Sequence, residues 1–315
     1  MSCRLIDDLC ANEVCQHIDN VLLDCDGVLW NGNDAIPGSL ETVEKLKKLG
    51  KRVYYVTNNS ARLGRIMLRS VLNWGTMPKR KIVCTSYIAA LYLHNEGFKD
   101  KVYVVGNPSM GRELDQFGIR HIGVGPDPLP EDCELADWLK TKLDPEVKCV
   151  LVGFDPHLSY LKMMKAASYN QKSDCLFLAT NEDTHLPVNS DIVIPVNLTT
   201  DFSIWNWKCS SCSEGTITQS ANVLGKPEKN MFKVLQKAHG LDPNRTMMVG
   251  DRCNTDIAMA TNCGLKSFLV LSGVVKLPEL QEYMASTDSM IQPYIPNYYA
   301  ACLGDLGKLL PESLI

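Results

Sequence analysis

Short apolar runs that end abruptly in acidic or hydroxyl side chains constrain the fold of this chain more than any other feature. The run at 21–23 leads directly into Asp24, and the run at 246–249 leads through one glycine into Asp251. A segment with helical spacing of apolar residues follows the first run, at 39–49. Because strand and helix patterns keep alternating, the sequence predicts an α/β fold, a mostly parallel sheet covered by helices.

The same alternation predicts two domains, for which 315 residues are sufficient. The middle of the chain differs from its flanks, with strand patterns at 149–152 and 176–179 that form a second α/β unit, and the first pattern returns afterwards. We therefore predict a split core made of 17–106 and 221–315, with an inserted α/β cap domain at 107–220.

Composition narrows the class of protein. The formal net charge is −4 and the pI is about 5.9, and no long run of basic residues is present, so nucleic acid is not an expected partner. No apolar run approaches the ~20 residues that span a bilayer, so no membrane is expected either. The 13 cysteines are scattered singly and no signal peptide is evident, which favours a reduced, cytoplasmic protein.

Asp24 and Asp26 stand two residues apart where the first apolar run ends, and Gly27 follows at once. Ligands of parallel α/β sheets bind at the carboxyl ends of the strands. Two carboxylates held together there repel each other, and a divalent cation relieves the repulsion. A carboxylate can also attack phosphorus and form an acyl phosphate. The alternative for this segment alone is an ordinary turn after a strand.

Three later segments have the same character. The hydroxyl of Thr57 and the amides at 58–59 follow a strand, where they suit phosphate oxygens. Lys226 lies between a glycine and a proline ahead of a helix, and its charge can neutralise a phosphate. Asp251 and Asp256 offer the oxygen ligands that Mg²⁺ prefers. Each segment alone is also typical of an ordinary loop, but their order along the chain is specific.

That order, DxD, TNN, GKP and GD(x)₄D, resembles the haloacid dehalogenase superfamily of phosphotransferases. The resemblance covers nearly the whole chain and is strongest to the branch that holds phosphoglycolate phosphatase, pyridoxal phosphate phosphatase and para-nitrophenyl phosphatases. It implies a Rossmann-like core with helices on both faces of a parallel sheet, and a large α/β cap inserted between the second and third motifs. The split core predicted above places the insertion in the same region.

The resemblance also implies catalytic roles and a Mg²⁺ cofactor. Asp24 would be the nucleophile, and Asp26 the general acid that protonates the leaving oxygen and then activates water. Asp24, the backbone carbonyl of Asp26 and Asp251 would hold Mg²⁺. Asp256 would support these ligands from behind.

Substrate binding is implied for four further residues. Thr57, Asn58 and Asn59 would bind the transferring phosphoryl group, and Lys226 would neutralise the charge that develops on it. The partner would thus be a small phosphorylated metabolite, and the resemblance adds the possibility of a homodimer formed through the cap.

The cap loop at 181–187 bears on the choice of substrate. The pyridoxal phosphatase branch has a His before the loop proline, whereas this chain has Leu186 before Pro187, as in the phosphoglycolate branch. We therefore expect 2-phosphoglycolate or glycerol 3-phosphate to be hydrolysed. The alternatives are a pyridoxal 5′-phosphate phosphatase, a non-catalytic binding protein with this fold, or a phosphomutase.

Residues 196–221 depart from the family pattern, which has a glycine-rich turn and a helix of small residues in this part of the cap. A shift of one nucleotide can turn the codons of 204–215, which include Trp205 and Trp207, into that pattern. We hypothesise that 196–221 arises from a misplaced exon boundary or a frameshift. The four motifs of the core lie outside this segment.

Overall fold

The computed structural model describes residues 3–32, 34–59, 82–129, 132, 134–183 and 220–312. Its contacts divide the described residues into two compact units. The first contains 3–57, 82–83 and 226–312, and the second contains 58–59, 84–183 and 220–225. Each unit has its own sheet and its own helices.

The strands are short and follow one another in this order: β1 (Arg4–Leu5), β2 (Asn20–Leu23), β3 (Trp30–Asn31), β4 (Asp34–Ala35), β5 (Arg52–Thr57), β6 (Ile82–Cys84), β7 (Lys101–Val105), β8 (His121–Ile122), β9 (Val147–Val152), β10 (Leu176–Ala179), β11 (Asn222–Val223), β12 (Thr246–Gly250), β13 (Lys266–Val270) and β14 (Tyr298–Ala300).

The described α-helices are α1 (Asp8–His17), α2 (Ser39–Lys48), α3 (Thr85–Asn95), α4 (Pro108–Gln116), α5 (Leu135–Trp138), α6 (Tyr160–Asn170), α7 (Lys229–His239), α8 (Ala258–Cys263), α9 (Leu277–Ala285) and α10 (Leu303–Leu309). A π-helical turn, Cys253–Ile257, leads into α8, and 3₁₀ turns occur at Pro243–Arg245 and Gln292–Tyr294.

The first unit is built on a seven-stranded sheet with the strand order β1-β14-β13-β12-β2-β5-β6. The pairings from β1 across to β5 are parallel. The interior strand β2 is fully buried, and Leu22 lies between Tyr54 of β5 and Met248 of β12. Burial on both faces explains why these strands consist of continuous apolar runs rather than alternating ones.

The second unit is built on a five-stranded parallel sheet with the order β11-β10-β9-β7-β8. One of its faces carries a buried apolar cluster that includes Tyr103 of β7, Val150 of β9, and Ala166 and Tyr169 of α6. Ser159 caps α6, because its hydroxyl accepts the N–H of Lys162.

The structure confirms an α/β fold with parallel sheets. The strand predicted at 101–105, within the core segment 17–106, is β7, which pairs with β8 and β9 in the second sheet. The apolar run predicts a strand there and contains no information about which strand it pairs with. The limits of the inserted domain, 107–220, stay a prediction, and the contacts place the described residues 58–59, 84–183 and 220–225 in the second unit.

Among the described residues, no helix has both the length and the apolar character needed to span a bilayer. The described cysteines are all free thiols. Burial raises the pKa of the Cys25 thiol well above its usual range, and the charges of Asp24 and Asp26 raise it further. Both effects disfavour the thiolate form of Cys25, as its position between two acids predicts.

Candidate active site

The carboxyl ends of three adjacent strands bring the predicted core residues to one edge of the seven-stranded sheet. Strand β2 lies between β5 and β12, with Leu23 opposite both Tyr55 and Val249. Asp24 therefore follows β2 at the edge where Thr57 ends β5 and Asp251 follows β12. The backbone N–H of Asp24 donates to the carbonyl of Val249, at 2.9 Å, which continues the parallel ladder by one residue.

A tight turn after Asp24 determines where Asp26 points. Gly27 has a φ of +81°, and its N–H donates to the carbonyl of Trp30 at 2.8 Å. The indole Nε1 of Trp30 in turn donates to Asp26 Oδ1 at 3.1 Å. A Cβ on Gly27 would lie 2.3 Å from Asp251 Oδ2, so a glycine is required both for the backbone angle and for the space.

Lys226 joins two of the buried acids. Its Nζ lies 2.7 Å from Asp24 Oδ1 and 2.6 Å from Asp256 Oδ1, and it also donates to the carbonyl of Val56 at 3.5 Å. The side chains of Lys226, Asp24 and Asp256 are 3%, 10% and 0% exposed, so the ion pairs are shielded from water. Such pairs are strengthened by the low local dielectric and hold their partners in one geometry.

Asp256 is held by its own turn as well as by Lys226. Its Oδ2 accepts the backbone N–H of Arg252 at 3.2 Å and the hydroxyl of Thr255 at 3.4 Å. These contacts lie in the π-helical turn and at the residue before it, and such a local irregularity is frequent at functional sites. A Cβ on Gly250 would lie 2.1 Å from the Asp256 Cβ, so the strand end must be a glycine for this acid to approach.

Asp251 is oriented by a loop that was not predicted to belong to the site. The backbone N–H of Val274 donates to Asp251 Oδ2 at 2.7 Å. A Cβ on Gly273 would lie only 1.9 Å from the same oxygen. Ser272 Oγ donates to the carbonyl of Gly27 at 2.7 Å, which ties this loop to the turn after β2. The Ser-Gly pair directly after the strand pattern of β13 was the signal that could have identified it.

The titration behaviour of these groups follows from their burial. Burial raises the pKa of Asp24 well above its usual range; Lys226 opposes the rise, and Asp256 and Asp251 add to it. Burial likewise raises the pKa of Asp251 to about 6, with repulsion from Asp256 as the next cause. Burial alone would lower the pKa of Lys226, but the attraction of Asp24 and Asp256 outweighs it and raises that pKa.

The donor set fits Mg²⁺. Carboxylate oxygens of Asp24, Asp251 and Asp256 lie within 4.8 Å of one another, and all three residues are buried. Lys226 supplies one positive charge against three acids, which leaves an excess of buried negative charge. Oxygen ligands with uncompensated negative charge are those that Mg²⁺ prefers. Because both oxygens of Asp256 already accept hydrogen bonds, Asp24 and Asp251 are the better placed direct ligands.

The structure thus brings together Asp24, Lys226, Asp251 and Asp256. The Asp26 side chain accepts a hydrogen bond from the Trp30 indole. That the backbone carbonyl of Asp26 is a metal ligand stays a prediction. Asn58 and Asn59, which follow Thr57, fall in the second unit, and their contact with a phosphoryl group also stays a prediction. The loop residues Leu186 and Pro187 lie outside the described residues, as does most of 196–221.

Two family models match the chain. The model described as haloacid dehalogenase-like hydrolase matches residues 21–120, and the model described as HAD-hydrolase-like matches residues 223–298. The two matches contain the acids of both halves of the site and Lys226, and residues 121–222, which make up most of the predicted cap, lie between them.

Several proteins of similar sequence and structure are named as phosphatases. The chain is 37% identical to a glycerol-3-phosphate phosphatase of Rattus norvegicus over 92% of this chain and 90% of the relative. It is 32% identical to chronophin of Homo sapiens, over 98% and 99%. The solved structure of a p-nitrophenyl phosphatase from Archaeoglobus fulgidus superimposes with a TM-score of 0.73, at 25% identity, over 93% of this chain and 99% of that one. The chain belongs to the haloacid dehalogenase-like hydrolases and is a phosphoric monoester hydrolase.

Proposed function

We propose that this enzyme hydrolyses small phosphate monoesters in two steps through a phosphorylated Asp24, with Mg²⁺ as its cofactor. The single observation that carries the proposal is the buried cluster in which Lys226 bridges Asp24 and Asp256 while Asp251 lies within reach of both acids. Buried acids in excess of their counter-charges are costly for stability, which points to a functional reason for the cluster.

In the first step the Asp24 carboxylate attacks phosphorus, and the bond between phosphorus and the ester oxygen breaks. Asp26, oriented by the Trp30 indole, gives a proton to the leaving oxygen. Lys226 keeps the Asp24 carboxylate in one orientation and supplies positive charge beside it. When bound by Asp24 and Asp251, Mg²⁺ would offset negative charge on the transferring group.

In the second step a water molecule attacks the phosphorus of the phosphorylated Asp24. Asp26, now deprotonated, accepts a proton from that water. The bond between phosphorus and the Asp24 oxygen breaks, inorganic phosphate leaves, and the carboxylate returns to its bond with Lys226. Each group therefore ends in the protonation state in which it began.

The substrate class that we propose is glycerol 3-phosphate or 2-phosphoglycolate. It is supported by the identity of 34–37% to glycerol-3-phosphate phosphatases of four vertebrates, against 31–32% for the chronophins. The Leu186–Pro187 pair in the sequence agrees with this choice. Pyridoxal 5′-phosphate remains the alternative substrate.

The experiment compares wild type and Asp24→Asn in phosphate release from para-nitrophenyl phosphate, 2-phosphoglycolate, glycerol 3-phosphate and pyridoxal 5′-phosphate, with Mg²⁺ and with a chelator. Asp19→Asn is the matched control, because Asp19 precedes the same strand β2 at its other end and pairs with Arg245 at the surface. We expect Mg²⁺-dependent release that Asp24→Asn abolishes and Asp19→Asn retains. A folded wild type that is inactive on all four esters would refute the proposal.

Four further expectations are kept as proposals. A small phosphorylated metabolite is the partner, and a cap-mediated homodimer would be tested by light scattering of the purified chain. Cytoplasmic location would be tested by fractionation. Sequencing the transcript tests the frameshift hypothesis for 196–221, since a clean message that encodes both Trp205 and Trp207 would exclude it.

A further inference from the structure

One cluster in the second unit holds a single backbone carbonyl from two sides. The carbonyl oxygen of Asn58 accepts the side-chain amide Nδ2 of Asn181 at 2.8 Å and the hydroxyl of Thr85 at 3.1 Å. Thr85 is fully buried and opens helix α3, whereas Asn181 lies two residues beyond β10. Two elements far apart in sequence therefore fix the same atom, and both acceptor positions of this carbonyl are used.

The surroundings of the cluster leave little room for it to move. Asn181 is itself fixed, because its Oδ1 accepts the N–H of Asp183 at 3.2 Å. A Cβ on Gly225 would lie 2.5 Å from the carbonyl oxygen of Thr180 and 2.8 Å from Asn58 Oδ1. The residues after β10, the start of the loop at Asn58 and the residue before Lys226 are thus packed against one another within this unit.

Fixing the carbonyl of Asn58 also fixes the next N–H. In a trans peptide the carbonyl and the following N–H point in opposite directions within one plane. Once Asn181 and Thr85 hold the Asn58 carbonyl, the N–H of Asn59 is directed to the opposite side. Backbone N–H groups in the turn after Thr57 are those that we expect to contact phosphate.

We propose that Asn181 is a positioning residue for the phosphate-binding loop: its amide holds the Asn58 carbonyl and so couples the loop after β10, where substrate selection is expected, to the loop after β5. The inference rests on the function proposed above and assigns Asn181 a role separate from any contact with the substrate. Its consequence is specific, since a disturbed phosphate loop affects every phosphate ester equally, whatever its leaving group.

The test uses the full chain with Asn181→Ala, Asn181→Asp and Thr85→Val. Asn181→Asp keeps the shape of the side chain but loses the donor, and Thr85→Val removes the hydroxyl that holds the same carbonyl. Thr85→Ser keeps a hydroxyl and should rescue activity. Asn222→Ala is the matched control, because Asn222 lies on the neighbouring strand β11 and its amide donates to Tyr92 instead.

We measure kcat and KM for para-nitrophenyl phosphate and glycerol 3-phosphate, together with inhibition by orthovanadate, a phosphoryl mimic that has no leaving group. Removing the amide should lower kcat/KM about 10-fold or more, by the same factor for both esters, and should weaken vanadate inhibition in parallel, because small misplacements at a reacting centre are costly. The Asn181 and Thr85 effects should be non-additive when the two changes are combined.

Three outcomes overturn the inference. A loss that differs between the two esters means that Asn181 contacts the substrate directly. Variants within twofold of wild type mean that the bond to Asn58 has no positioning role. An inactive wild type refutes the proposed function itself, and this result is distinguishable because it is seen before any variant is compared. If Asn181→Ala does not fold, the same comparison is made with Asn181→Asp and with Thr85→Val against Thr85→Ser.

Discussion

Lys226 is the one cation within bonding distance of Asp24 and Asp256 among the contacts of the described residues, so its removal tests the electrostatic account of the site. The change is Lys226→Met, which keeps most of the length of the side chain and removes its charge. Removing one partner of a buried ion pair costs ~3–5 kcal/mol. Because two carboxylates lose their partner at once, we expect the free energy of unfolding to fall by ~5 kcal/mol, the upper end of this range, at pH 8 without metal.

The loss should also depend on pH. A carboxyl whose folded pKa is raised contributes stability that is present at low pH and is lost as the pH rises through that folded pKa. Asp251 already behaves in this way, with its pKa raised from 3.8 to about 6. Removing Lys226 would raise the pKa of Asp24 further, since the lysine opposes that rise. The loss of unfolding free energy in Lys226→Met, relative to wild type, should therefore be small near pH 5 and should grow towards pH 8.

The assay is urea unfolding of wild type and variant at pH 5 and pH 8 in the presence of a chelator. Lys266→Met is the control, because the Lys266 side chain is 41% exposed and its pair with Glu13 should contribute less than ~1 kcal/mol. A Lys226→Met protein within about 1 kcal/mol of wild type at pH 8, or with the same deficit at both pH values, would refute the reasoning.

Three further predictions use the same protein. In urea unfolding, Asp251→Asn should stabilise the metal-free protein by ~1–3 kcal/mol at pH 8 and by less at pH 5, because it removes a buried carboxylate with a raised pKa. A variant that is less stable than wild type at pH 8 would contradict this prediction. Lys162→Met should lower the free energy of unfolding by ~3–5 kcal/mol, because Lys162 Nζ lies 2.6 Å from Asp155 and both side chains are fully buried. Lys148→Met, which removes a surface ion pair with Asp174, should lower it by less than ~1 kcal/mol. Equal losses in the two variants would contradict the expected difference between a buried and a surface pair. Gly273→Ala should lower kcat/KM ~10- to 100-fold, because the added Cβ would displace Asp251. Unchanged kinetics would contradict this and would mean that the loop shifts to accommodate the Cβ without moving Asp251.

The parts of the fold that could be predicted were those in which burial determines composition. Strand β2 is covered on both faces, so its residues form a continuous apolar run that ends at Asp24. Strands β1 and β14 were not predicted. Strand β1 is a two-residue edge strand, and it is defined only by its pairing with β14. Helix α1 was missed because its buried side is made of small residues such as Cys10 and Ala11, which give no clear apolar stripe.

The site could be predicted as a set of residues and not as a network. Asp24, Lys226 and Asp251 each follow a strand or precede a helix, and these positions are visible in the sequence. The bond of Trp30 to Asp26 and the bond of Val274 to Asp251 depend on the path of two turns. A backbone N–H has no signature in the sequence, because every residue other than proline has one.

The most direct test of the proposed chemistry is the detection of a phosphorylated Asp24. The enzyme is mixed with para-nitrophenyl phosphate and Mg²⁺, quenched in acid within one turnover, digested, and analysed by mass spectrometry. We predict that one phosphoryl group appears on the peptide that contains Asp24, decays at the rate of phosphate release, and is absent in Asp24→Asn. Rapid phosphate release without any phosphorylated Asp24, or with activity retained in Asp24→Asn, would contradict the account.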